Sequence, residues 1–531
     1  MATLSSLPLD IQHHILSYLL SPRDIASLST QCKTLQRLCD MSTRQAYHSV
    51  KIEPSTDSLD TAFNLLMDIL RRPVLGRYIR HIEVRAPPPR RVRYTQMEPQ
   101  RELGEGDMRL LRGAVKNAGF DEPELDLEGQ VHNMLLQRMD YGTTYSGSFK
   151  MADKVFAPQA LGALLVSVSP FLESMAMTPM ATHDYAFSGS VPAPKVAYPL
   201  DYLLRSVNSN PTKQFPYLQN LRDVYIINNP DGHWDDERFY ISMDLFTPIS
   251  TICTLPSIES VRTDIVEEDE NGLRMLEFQS SDITKIAMHH SSVSSSYLVS
   301  LICSCKTLKD LAYSVGGRAT NDGGYPIFNP KTVIRALLYH KSTLETLDLD
   351  VESYIYHFDP SVDEADAIEE FDTHEAVDDE GYGRNPPEGF RENKGALRDF
   401  SRLRRLSIGV GFLLYFAWGI DVTAADLELD EEVAKDADTR VNLATALPPN
   451  LEYLCIRGYK KGEAPARDAV IEELVEAVRA GRLKLEVVGV EEMIPNAENV
   501  DDPDGNPHLL WKPDGYESEG YTDDEDGGDE E

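Results

Sequence analysis

Leu344-Glu345-Thr346-Leu347-Asp348-Leu349 carries the pattern that decides the fold: apolar, two residues, apolar, one residue, apolar. The last two apolar side chains sit two apart, so on an extended chain they leave one face while Asp348 and Asp350 leave the other. The phrase recurs as Ile79-Ile82-Val84, Leu172-Met175-Met177, Leu221-Val224-Ile226 and, with Thr263 in the last place, Ile258-Val261-Thr263. It returns as Ile283-Ile286-Met288, Leu308-Leu311-Tyr313, Leu403-Leu406-Ile408 and Leu451-Leu454-Ile456, and a last copy is expected around Leu483, Leu485 and Val487. Several copies follow a helical stretch: Ala160 to Val168, Tyr297 to Cys305 and Val333 to Leu338. Helix–strand units with short gaps imply a parallel sheet covered by helices on one side, which is a solenoid. Several unrelated α/β units sharing the phrase are the alternative.

The start of the chain is organised differently. Pro8 has its ring angle preset for a first helical position, and Asp10 puts a negative charge in that first turn. Ile11, Ile15 and Leu19 recur every four residues, so one face of that helix is apolar. Ser21 is placed to cap a second helix with Pro22 at its first position; Ile25 and Leu28 line it. A third helix is expected near Cys32 to Cys39 with Leu35, Leu38 and Cys39 inward, and Met41 to Pro54 reads as a connector. Three short helices bury little of their own apolar surface, so a partner is called for.

This stretch resembles an F-box. The family pattern is matched by Leu7-Pro8, Ile11, Ile15-Leu16, Leu19, Pro22, Asp24-Ile25, Leu28-Ser29, Cys32-Lys33 and Leu38. It departs at Leu35, where the family often has Trp, and at Gln31, where it usually has an apolar residue. The resemblance implies that Leu7, Pro8, Ile11, Ile15, Leu16, Leu19, Pro22 and Ile25 form the docking surface for the linker subunit of an SCF-type cullin–RING ubiquitin ligase.

The recurring phrase itself resembles a leucine-rich repeat, and Asn229 fills that family's asparagine position in one copy. Its spacing runs from about 25 to above 90 residues instead of a steady 20–29. The segment Ala160 to Leu165 with Pro170 to Ser174 looks like one that recurs in fungal F-box proteins. The fold class is therefore α/β: a three-helix F-box at 1–41, a helical linker at 42–73 and an irregular leucine-rich-repeat-like solenoid at 74–495. Loops are expected at about 86–158 and 359–392, and an acidic disordered tail at 496–531.

At 531 residues the chain has room for two to four domain cores or one long solenoid. A net charge of −36 argues against nucleic acid or an anionic membrane as the main partner. The start lacks the basic and apolar runs of a signal peptide, and Gly411 to Ile420 is too short to span a bilayer. Six scattered cysteines without a Cys-x-x-Cys pair suggest neither zinc nor disulfides, so a cytoplasmic or nuclear protein is expected. Asp359 to Glu380 holds eleven acids and no Lys or Arg, a composition that cannot fold alone. Arg71 to Arg93 holds eight arginines against the single acid Glu83. Thr522 with Glu525 suits an acid-directed kinase, but a solvated solubility tail is the better reading of that segment.

No nucleophile elbow, phosphate-binding Gly-rich loop or His-Glu-x-x-His occurs. His13-His14 and His289-His290 are adjacent pairs, which diverge on helix and strand alike and do not chelate one metal. Asp348 and Asp350 share a face but lack a third ligand, so a polar binding surface is the better reading; Gly316-Gly317 reads as a turn. No cofactor, metal or catalytic site is expected.

The outward positions are His81, Glu83 and Arg85 on the first strand, Tyr225 on the third, and Lys285 and His289 on the fifth. They continue with Asp348 and Asp350, Arg405, then Tyr453 with Arg457. Arg405, Tyr453 and Arg457, followed by Lys460-Lys461, read as a cationic, partly aromatic patch suited to an acidic or phosphorylated segment; the rival reading has these arginines balancing nearby acids such as Glu452. The function expected is substrate recognition within an SCF-type ligase, the solenoid holding an unknown protein substrate. The alternative is a scaffold that uses the F-box without delivering anything for ubiquitination.

Overall fold

The computed structural model describes residues 7–8, 11–12, 15–16, 19, 22–53, 55–85, 99–120, 127–138, 157–178, 199–209, 215–228, 238–268, 276–320, 328–354, 387–390, 392–420 and 441–511. Asn229, His13-His14, the acid run Asp359 to Glu380 and Thr522 lie outside them.

Residues 11–12 and 15–16 are helical, and among the described residues three short helices follow: α1 (Pro22–Ser29), α2 (Lys33–Cys39) and α3 (Met41–His48). Cys32 caps α2, its Sγ accepting from the Leu35 amide at 3.5 Å. Leu35, Leu38 and Cys39 turn inward against Leu16 and Ile25, giving this module a small core of its own.

Among the described residues thirteen strands follow. They are β1 (Ser49–Ile52), β2 (His81–Val84), β3 (Ser174–Met177), β4 (Asp223–Ile226), β5 (Ile241–Met243), β6 (Ser260–Asp264) and β7 (Val266–Glu268). After them come β8 (Lys285–His289), β9 (Asp310–Ser314), β10 (Thr346–Asp350), β11 (Arg405–Gly409), β12 (Tyr453–Arg457) and β13 (Glu486–Val488). Eleven of them form one sheet in the order β1-β2-β3-β4-β6-β8-β9-β10-β11-β12-β13, and β5 pairs with β7 apart from it. Every pair is parallel. Within that sheet spatial order repeats chain order, each strand taking the next place along the edge.

The middle apolar position of the phrase forms one continuous ladder. Val50, Ile82, Met175, Val224, Val261, Ile286, Leu311, Leu347, Leu406, Leu454 and Val487 are successive cross-strand partners. Nearly all are buried in a core shared with the helices that intervene between strands, among them Ala157–Ser167, Ser295–Ser304 and Pro330–Leu338. A one-residue slip in any strand would turn its apolar pair to the opposite face, so burial fixes the register. The helix starts are written locally. Ser294 Oγ accepts from the Tyr297 amide at 3.3 Å, and Asn329 Oδ1 from Thr332 at 3.2 Å, with Pro330 in the first turn.

Several expectations need correction. Met41 to Pro54 is not a connector, since it holds α3 and the first strand. Tyr47, Val50 and Ile52 repeat the apolar spacing, with Val50 opposite Ile82. The linker expected at 42–73 is likewise part of the main core, to which helix Thr56–Arg71 contributes Leu59, Phe63 and Leu66. The loop expected at about 86–158 contains helices Glu105–Asn117 and Leu127–Leu135; Leu111, Val115, Leu127 and Val131 recur at helical spacing and pack on the same core. The last copy is out of phase: Val487 stands opposite Leu454, in the middle position, and Leu485 precedes the strand. The excursion expected at about 359–392 ends packed, with Phe390 buried and its ring 6.5 Å from that of Tyr339. Finally, the tail expected from 496 is tied down as far as Trp511.

Candidate functional site: a helical docking face and the outer face of the sheet

In the N-terminal module the Gln12 amide donates to the Pro8 carbonyl at 3.0 Å, the i to i−4 bond of a helix whose proline needs no donor of its own. Gln12 Nε2 returns to the Leu7 carbonyl at 2.7 Å. The four-residue spacing then divides the aliphatic side chains. Ile11 and Ile15 are 46% and 37% exposed, while Leu16 is 2% and Ile25 3% exposed. Leu16 and Ile25, placed on the docking surface by their match to the motif, are instead the module's own core. Pro8 is exposed beside the two isoleucines, and Leu7 and Leu19 are half-buried.

On the sheet, the residues between the apolar positions face away from the main core. At the N-terminal end His81 Nδ1 lies 2.5 Å from Ser174 Oγ of the next strand, and its ring meets that of His48 edge-on at 4.8 Å. Burial lowers the His81 pKa. Arg85 Nε pairs with Glu83 at 2.5 Å. Tyr225 is 36% exposed, and burial of its hydroxyl, reinforced by nearby Asp264, pushes its pKa up to about 12.

At the C-terminal end the cationic patch read from the sequence is largely neutralised. Arg457 Nη1 donates to Asp348 Oδ1 at 2.7 Å, and its Nε lies 3.6 Å from Asp350 Oδ2. Gly409 is the register partner of Arg457 on the intervening strand, and the Glu352 side chain fills the space that a Cβ would take there. Lys460 pairs with Glu463 and Lys461 with Glu472, each at 2.7 Å. Arg405 stacks on the Tyr453 ring with its guanidinium carbon 4.5 Å from the centroid. The acids that meet Arg457 come from β10, not from Glu452. His289, also on this face, has its pKa lowered by burial, and its Nδ1 lies 3.4 Å from Ser314 Oγ.

Residues 4–48 match the family described as F-box-like. The chain carries an F-box-like domain. No curated protein matches the sequence. The match ends at His48, the last residue of α3, so the F-box-like domain abuts the first strand of the sheet directly.

Downstream of the F-box-like domain and the sheet lies a feature that sequence reasoning missed. After β13 the chain runs back over the C-terminal ends of the strands. Gly458 donates to Ile494 at 2.8 Å, Ala497 donates to Asp350 Oδ2 at 3.0 Å, and Gly317 donates to Glu498 at 2.9 Å. Val500 is wholly buried and donates to Arg318 at 3.2 Å; Asp504 pairs with Arg238. Trp511 closes the strap, donating to the Gly317 carbonyl at 2.9 Å and stacking on His290 with centroids 4.0 Å apart. The glycine pair read as a turn is the cradle. Gly317 has φ +74, and a Cβ there would stand 2.5 Å from the Trp511 Cβ. Ile494, Val500 and Trp511 are the signal that could have shown this, apolar residues spaced through an otherwise acidic segment. Among the described residues no group of His, Cys, Asp and Glu could hold a metal, and no helix is long and apolar enough to cross a membrane.

Proposed function

We propose that this chain is the substrate-recognition subunit of an SCF-type ubiquitin ligase, docking on the linker subunit, and through it the cullin, by the F-box-like domain. The observation that carries the reading is the exposure of Ile11 and Ile15 one helical turn apart on a module that already has a core. Two large aliphatic residues presented together, with Pro8 beside them, suit a partner that buries them. The parallel strands in chain order support reading the remainder as an irregular leucine-rich-repeat-like solenoid, whose outer sheet face holds a protein substrate. In this role the chain is non-catalytic and intracellular. It raises the effective concentration of a substrate lysine near a charged ubiquitin-conjugating enzyme.

The test is deletion of residues 4–48 in cells, followed by proteomic measurement of the proteins captured by the remaining chain. Accumulation and loss of ubiquitination of at least one captured protein is expected. Unchanged abundance and ubiquitination of all of them, with linker-subunit binding of the intact chain retained, would favour a scaffold that uses the same domain without delivering a substrate.

A further inference from the structure

The F-box-like domain and the sheet meet at a cavity of about 290 Å³ lined by Ile25, Met41 and Tyr78 together with Arg44, His48 and Arg80. Among the described residues no carboxylate lines it, in a chain whose formal charge is −36. Both guanidinium groups are oriented by backbone. Arg44 Nε donates to the Cys39 carbonyl at 2.7 Å, and its guanidinium carbon lies 4.4 Å from the centroid of the Tyr78 ring. Arg80 is buried; its Nη1 donates to the carbonyls of Arg77 at 2.6 Å and Ile79 at 3.1 Å, and its Nε lies 3.0 Å from Glu173 Oε1. A guanidinium carries five N–H donors. Arg44 gives one of them to the protein and pairs with no carboxylate among the described residues.

The two charges also feel each other. Burial lowers the Arg80 pKa, Glu173 opposes that, and the charge on Arg44 lowers it further. Like charges held beside one cavity repel until an anion enters, and guanidinium forks match the paired oxygens of a carboxylate or phosphate. The remaining walls are aliphatic and aromatic, which suits an apolar body on that anion. The volume is at the lower end of small-molecule sites.

We propose that this cavity binds a small anion carrying an apolar or aromatic body. The site joins the two parts of the molecule. Arg44 belongs to α3, whereas Arg80 leads into β2, its amide donating to the His48 carbonyl at 2.9 Å and its carbonyl accepting from Ser174 at 3.0 Å. An anion bridging the two guanidinium groups therefore braces the docking domain against the sheet.

The test is ligand-observed NMR on the full chain with phenyl phosphate and benzoate as probes, and inorganic phosphate and benzyl alcohol as controls. At least one aromatic anion is expected to bind at least tenfold more tightly than either control. Arg44→Ala should weaken it tenfold or more, with partial recovery in Arg44→Lys. Met41→Trp, which keeps both arginines but fills the space, should abolish it, and melting curves confirm that each variant is folded. Binding is expected to persist when the linker subunit is present. Absence of binding by both aromatic anions, controls that bind equally well, indifference to both Arg44→Ala and Met41→Trp, or displacement by the linker subunit would each overturn the proposal.

Discussion

Arg457 on β12 reaches across β11 to Asp348 on β10, Nη1 to Oδ1 at 2.7 Å. Its Nε also lies 3.6 Å from Asp350, which is itself buried and bonded to the strap through the Ala497 amide. One arginine thus ties two strands and the returning C-terminal segment into a unit. Removing it leaves Asp350 buried beside Asp348 without its cation. Arg457→Ala should therefore destabilise the chain by about 2–4 kcal/mol, while Asp348→Asn, which keeps Arg457 next to Asp350, should cost less. Chemical denaturation of the two variants checks the order, and equal losses would show that the pair acts at Asp348 alone.

The strap predicts a division within the acidic C-terminal region. Ending the chain after Trp511 should leave the melting temperature nearly unchanged. Ending it after Pro495 removes Val500 and Trp511 and should lower it clearly. Trp511→Ala alone is expected to cost about 1–2 kcal/mol from the lost stack and buried area. Gly317→Ala should cost at least as much, because the new methyl collides with Trp511 at a positive φ.

Asp264 sets a pH dependence. Burial pushes its pKa up to about 7 against the opposing charge of Arg318, and its Oδ1 has no hydrogen-bond partner among the described residues. The folded chain therefore binds this proton more tightly than the unfolded chain does. The contribution is fully present below the ordinary carboxyl pKa of about 4 and is lost as pH rises towards 7. Asp264→Asn should stabilise the protein by on the order of 2 kcal/mol above pH 7 and flatten stability across that window. Urea unfolding at pH 5 and pH 8 measures it, and a variant with the wild-type pH slope would contradict it.

The ladder predicts where the sheet is least tolerant. Leu347 is fully buried, with Leu311 and Leu406 on either side of it. Leu347→Ala should cost about 2–5 kcal/mol. The same change at Leu485, which precedes its strand at the sheet's edge, should cost distinctly less by denaturant midpoint.

The sheet was legible because its signal is periodic. Leu347 and Leu349 two apart, preceded by Leu344, announce a strand with one buried face, and eight further copies say the same. The first strand escaped notice because Tyr47, the opening residue of its copy, is the penultimate residue of a helix, so the phrase straddles two elements. Leu16 and Ile25 were misplaced because the sequence marks which residues are apolar but not which of two faces a three-helix module keeps for itself. The partnering of Arg457 by Asp348 was hidden by separation: they stand 109 positions apart, and nothing local links them. The strap was masked by composition, since acids outnumber its few anchors and the anchors work one at a time instead of as a periodic stripe.

In the proposed role, the F-box-like domain docks through the face carrying Ile11 and Ile15. Burying each isoleucine is worth roughly 1.5–3 kcal/mol, so replacing both with charged residues should weaken docking by at least roughly a hundredfold. Titration of the purified linker subunit against wild-type chain and the Ile11→Asp, Ile15→Asp double variant measures this directly. Tight binding by the wild type, with collapse in a double variant that melts at the wild-type temperature, is the predicted result. Equal affinity of the two proteins, or no binding by the wild type, would contradict docking through this face.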